Sequence, residues 1–155
     1  MRIEEFDKAP IYRIANRIVD LYRKQLDIDG INASSTLSDN AKCYIDIKGS
    51  SFVVYLDLEH YWKYVEYGRG PGKRPPIDAI ENWVKIKPVV PDSRNGRIPN
   101  SRQLAFMIAR KIGNEGTTAR HTINKTVYSD AMEEIINDIR NEIIRQLTQI
   151  LLDEM

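Results

Sequence analysis

One stretch alternates apolar and polar side chains at the two-residue period of a strand, and it sets the fold class. Over residues 42–48, Cys43, Ile45 and Ile47 share one face and Tyr44, Asp46 and Lys48 the other. Over 52–58, Phe52, Val54, Leu56 and Leu58 repeat the pattern, with Gly49-Ser50-Ser51 between the two runs. This reads as a β-hairpin. Two strands are not stable alone in water, so the hairpin must lie on a helix, on further strands or on a neighbouring subunit.

The flanking segments have helical periodicity. Ile11, Ile14, Ala15, Ile18, Tyr22 and Leu26 make a stripe over 11–26, with Pro10 in the first turn and Gly30 as a stop. Ile77, Ile80, Trp83 and Val84 make another over 77–86, bounded by Pro76 and Pro88. Ser101 is placed to cap a helix over 102–112, with Leu104, Met107, Ile108 and Ile112 on one face and Gly113 and Gly116 as stops. Ser129 then caps the longest element, about 130–153, whose apolar stripe runs from Met132 to Leu151. At 1.5 Å per residue it is roughly 35 Å long. Residues 59–67 carry aromatic rings at mixed spacing and read as a short helix ended by Gly68. Helix, hairpin, then helices is an α+β order, not the alternation of a doubly wound sheet. A length of 155 residues predicts one domain, 1–155, with loops at about 30–41, 68–76, 87–101 and 113–128. Loops this long are usually functional or ordered by a partner.

Composition excludes little but narrows the partners. A formal net charge of +1 gives no overall field toward nucleic acid or membrane, so basic function must be local. The lone Cys43 reads as a small buried hydrophobe in a reducing compartment. The acidic start MRIEEFDKAP has no signal-peptide pattern, and no apolar run reaches the ~20 residues of a membrane helix.

Known chemistries fit poorly. Residues 68–73, GRGPGK, lack the first glycine and the final Ser or Thr of a phosphate loop, and two prolines follow. His60 and His121 have no ligand partners at metal-site spacing, so neither metal nor cofactor is expected. Glu59 and Glu66 are expected to pair with Lys63 or Arg69 rather than act as acid and base. No nucleophile–base order stands out, and no catalytic residue is assigned.

What remains is an aromatic segment running into a cationic loop. Tyr61, Trp62, Tyr64 and Tyr67 precede Gly68, Arg69, Gly70, Gly72, Lys73 and Arg74. Rings that bury area beside an adaptable backbone suit a docking surface. A second loop adds Arg94, Arg97 and Arg102. The alternative is a small nucleic-acid-binding module, with the basic loops on phosphates and Trp62 or Tyr67 stacking on bases.

The segment YVEYGRGPG, 64–72, resembles the Tyr–x–x–Val–Glu–aromatic–Gly signature of phage tail-component proteins, the small neck or tail-completion proteins of tailed double-stranded DNA phages. PPIDAIENWVKIK, 75–87, is similar to that family's Pro-Pro variant with a Trp-bearing helix, and LAFMIARKIGNEGT, 104–117, to its later helix. TTARHT stands where the family often has Pro and Phe. The resemblance implies a non-enzymatic virion part: a homo-oligomeric ring at the head–tail junction or the head-proximal end of the tail. Its partners would be sister copies, portal or adaptor proteins and tail proteins, with packaged DNA in the lumen and no membrane. Tyr64, Glu66, Tyr67, Gly68, Arg69, Gly70, Lys73, Arg74, Arg94 and Arg97 are the expected assembly contacts.

Overall fold

The computed structural model describes residues 7–31, 36–48, 51–87, 89 and 98–155. The architecture is α+β: helix, hairpin, short helices and a long last helix. Helix α1, Lys8–Ile28, begins where the Asp7 carboxylate accepts from the Ala9 amide and buries Ile11, Ala15, Val19, Tyr22 and Leu26. The predicted stripe is therefore rotated: Val19 is buried, and Ile14 and Ile18 sit half-buried at its margin. A one-turn helix α2, Thr36–Asp39, interrupts the predicted loop and buries Leu37.

Strands β1, Lys42–Lys48, and β2, Ser51–Asp57, pair antiparallel with Cys43 opposite Leu56, Ile45 opposite Val54 and Ile47 opposite Phe52. The register puts Cys43, Ile45, Val54 and Leu56 of the predicted apolar set on one face. That face lies on α1, which answers the hairpin's need for cover. Ala15, Val19, Tyr22, Leu26, Leu37, Ala41 and Cys43 form the core, with Val54, Leu56, Tyr61, Trp62, Val65, Ile123 and Ile139 packed against it. Burial alone raises the Cys43 thiol pKa, as expected of a packed, unreactive cysteine.

Helix α3, Trp62–Tyr67, follows the hairpin. Helix α4, Ile77–Ile86, packs on α5, Ser101–Glu115. The cap of α5 is Asn100 rather than Ser101: the Asn100 side chain accepts from the Gln103 amide at 2.8 Å and the Gln103 side chain accepts from the Asn100 amide at 3.1 Å. The buried face of α5 shares only Leu104 with the predicted one, and Ile108 and Ile112 are half-buried. That face is Leu104, Ala105, Ala109 and Gly113, while Met107 is exposed. Close approach selects small side chains there, and a hydrophobicity pattern ranks them below methionine.

The predicted loop 113–128 is mostly structure. Gly113 lies inside α5, the helix stops at Gly116, and α6, Thr122–Val127, follows. Helix α7, Asp130–Asp153, starts at the predicted Ser129 cap and runs antiparallel to α1. Arg17 bonds Asp138, and ten residues back along α1 the Asp7 amide bonds the Gln146 side chain at 2.9 Å. Gln146, buried by this exchange, breaks the apolar stripe read from the sequence.

Candidate functional site

Helix α3 divides its side chains sharply. Tyr61, just before it, and Trp62 and Val65 turn into the core. Tyr64 and Tyr67 turn out and are 59% and 69% exposed, with the Tyr67 ring 6.2 Å from that of Trp62. Glu66 points to neither Lys63 nor Arg69. It is buried, and its two oxygens accept from the amides of Ile123 at 2.7 Å and Asn124 at 3.1 Å. A carboxylate at the α6 N-terminus satisfies orphan amides and meets the positive end of the helix dipole. That long-range cap outweighs a surface ion pair, which is why the predicted pairing fails. Glu59 accepts instead from the Asn40 amide side chain at 2.6 Å.

The segment after α3 is fastened to the segment after α5. The Arg120 amide donates to the Val65 carbonyl and the His121 amide to that of Glu66, at 2.9 and 3.2 Å. Arg69 and Thr117 exchange two backbone bonds of 3.0 and 2.8 Å, and the Gly72 amide reaches the Gly113 carbonyl at 2.8 Å. Glycine makes this possible. Gly68 and Gly116 have φ of +70° and +78°, and a Cβ on them would meet the Thr117 carbonyl oxygen at 2.3 Å and that of Arg69 at 1.9 Å. A Cβ on Gly113 would strike the Arg74 side chain at 2.6 Å. The backbone expected to be free is thus tied to its own chain from 69 to 72. His121, the one described non-glycine residue at positive φ (54°), makes the turn into α6.

The cations divide likewise. The Arg69 guanidinium turns back onto the Lys73 carbonyl. Arg74 lies over the Phe106 ring, 5.9 Å from its centroid, a cation–π distance. Lys73 and Gly70 are exposed. Arg102 bonds Asp78 at 3.0 Å and Glu81 at 3.1 Å, and hydrogen bonds from Lys85 and Arg102 hold the Glu81 carboxyl below its usual range. Arg94 and Arg97, and most of their loop, lie outside the described residues.

No protein-family model, curated protein or solved structure matches the chain. The site therefore has to be read from its own chemistry. Among the described residues no group of three or more His, Cys, Asp or Glu could hold a metal ion, and no helix is long and apolar enough to cross a membrane. A hollow of about 420 Å³ lies along the outer side of α5 beside Phe106, Met107, Arg110 and Lys111.

Of the expected contacts, Tyr64, Tyr67, Gly70, Lys73 and Arg74 are exposed. Gly68, Arg69 and Glu66 fasten their segment to the rest of the chain instead. Sequence reading missed a second junction beside them. Asp29 at the end of α1 accepts from Thr122 at 3.0 Å and Lys125 at 2.6 Å. Burial pushes the Asp29 carboxyl up, but these bonds more than offset it and leave its pKa lowered. The partners lie over 90 residues apart, so no local pattern marks them.

Proposed function

We propose that the chain is a structural virion protein that forms a ring in the head–tail connector, or at the head-proximal end of the tail, of a tailed bacteriophage. The observation that carries this reading is the pair Tyr64 and Tyr67, held outward on a helix whose opposite side is locked into the core. Amphipathic rings on a rigid platform bury area at little entropic cost, which is what repeated subunit contacts need. The residues around them are also those that resemble the tail-component signature. The fastened 69–72 segment refines the mechanism: the platform is ready before docking, so assembly does not depend on ordering it. Lys73 and Arg74 then face acidic neighbours or DNA in the lumen.

Tyr64→Ser with Tyr67→Ser tests the reading. The variant is expected to keep the thermal midpoint of the parent protein yet to fail in complementing phage particles, leaving unjoined heads and tails under the electron microscope. Normal head–tail joining would overturn the proposal. A nucleic-acid module is the second reading, favoured by one observation: Lys73 and Arg110 meet no acidic partner among the described residues. Tight duplex binding that falls steeply with salt would support it.

A further inference from the structure

Two exposed surfaces at opposite ends of the molecule complement each other. The first is the α5 trough, where Phe106 and Met107 are each about half exposed beside Arg110 and Lys111. Arg74 adds a third cation above Phe106, while Glu115, 3.8 Å from Lys111, is the one carboxylate on the rim among the described residues. The second is the last turn of α7. Past Gln146, which bonds the Asp7 cap of α1, the helix continues to Asp153 and turns Leu151 and Leu152 outward at 56% and 60% exposure. Asp153 and Glu154 flank them, and neither meets a cation among the described residues.

These surfaces cannot meet within one chain. The α7 end lies at the Asp7 end of α1. The α4–α5 pair joins the body at the other end of α1, where Lys87 bonds the Gly30 carbonyl at 2.5 Å. Helix α1, of 21 residues, separates them by about 30 Å. A contact between them is therefore head-to-tail, the class that gives a ring when the rotation between copies closes.

We propose that the last turn of α7 in one copy docks in the α5 trough of the next, with Leu151 and Leu152 on Phe106 and Met107, and Asp153 and Glu154 facing Arg110 and Lys111. An apolar helix end entering a hollow rimmed by opposite charge is a recurrent recognition mode. The inference rests on the ring-forming function proposed above and names a contact that function needs.

Sedimentation equilibrium of the full chain tests it. The parent protein is expected to associate reversibly, and less at high salt. Arg110→Glu with Lys111→Glu should weaken association about tenfold or more, as should Asp153→Lys with Glu154→Lys, and a chain carrying all four should recover it. Leu151→Ser with Leu152→Ser should weaken it without touching charge. All these side chains are exposed or half-exposed, so helicity and thermal midpoint serve as fold controls. A parent protein that stays monomeric near millimolar concentration would overturn the contact, as would either charge reversal leaving association unchanged or the four-fold chain failing to recover. Loss of duplex-DNA binding in the trough variant, with self-association intact, would make the trough a nucleic-acid surface and equally overturn it. If the four-fold chain fails to associate yet still joins heads to tails, this contact falls and the ring function stands.

Discussion

Glu66 does more for the site than its surface neighbours. Its carboxylate is removed from water, and two α6 amides take the place of that water. Glu66→Ala leaves both amides without a partner and should cost about 2–3 kcal/mol. Glu66→Gln keeps one acceptor oxygen and should cost about half as much. Urea denaturation of the two variants checks the order. Glu142 sets a different kind of dependence. Hydrogen bonds from Arg145 and then Gln146 hold it at about 2, against an ordinary value near 4.5. A carboxyl more acidic in the fold than in the unfolded chain adds stability above its unfolded pKa and loses it as pH falls toward the folded value. The urea midpoint should therefore drop between about pH 4.5 and 2, and Glu142→Gln should flatten that part of the profile. Neither role shows in the sequence as such. Glu142 and Arg145 are visible as neighbours on a helix, but Glu66 finds its partners 57 and 58 positions away, beyond any local pattern.

Local rules succeeded where local physics decides. The hairpin itself, the Ser129 cap and the span of α4 all follow from side-chain period and capping chemistry. They failed where another segment intervenes. Gly113 reads as a helix stop on propensity, yet it is kept inside α5 because the 72–74 backbone passes against it. The loop 68–76 reads as adaptable because it is rich in glycine and proline, yet two of the surrounding glycines exist to let two segments touch. This gives a prediction for the element. Gly116→Ala combines a disfavoured φ with a backbone clash and should destabilise by about 2–3 kcal/mol. Gly70→Ala has open space around its new Cβ and should stay within about 0.5 kcal/mol of the parent. Equal melting of the two variants would refute the account of the fastening.

The molecule has two packing centres. One joins α1 to the hairpin, α6 and α7; the other joins α4 to α5. The first holds the large buried side chains Tyr22, Ile11 and Leu26, whereas the second relies on Val84, Leu104 and small residues. Less buried apolar area means a lower local opening free energy. Native-state hydrogen exchange should therefore find α4 and α5 amides exchanging before those of α1 and β1, and simultaneous exchange throughout would contradict this. The bridge between Arg69 and Thr117 closes the base of the smaller centre, and the Lys87 side chain makes a second tie, to the Gly30 carbonyl at the end of α1. Between these two ties α4 and α5 form a cassette. Substitution on its exposed side chains can change its binding preference, while the helix-and-hairpin chassis keeps its own packing and its outward tyrosines.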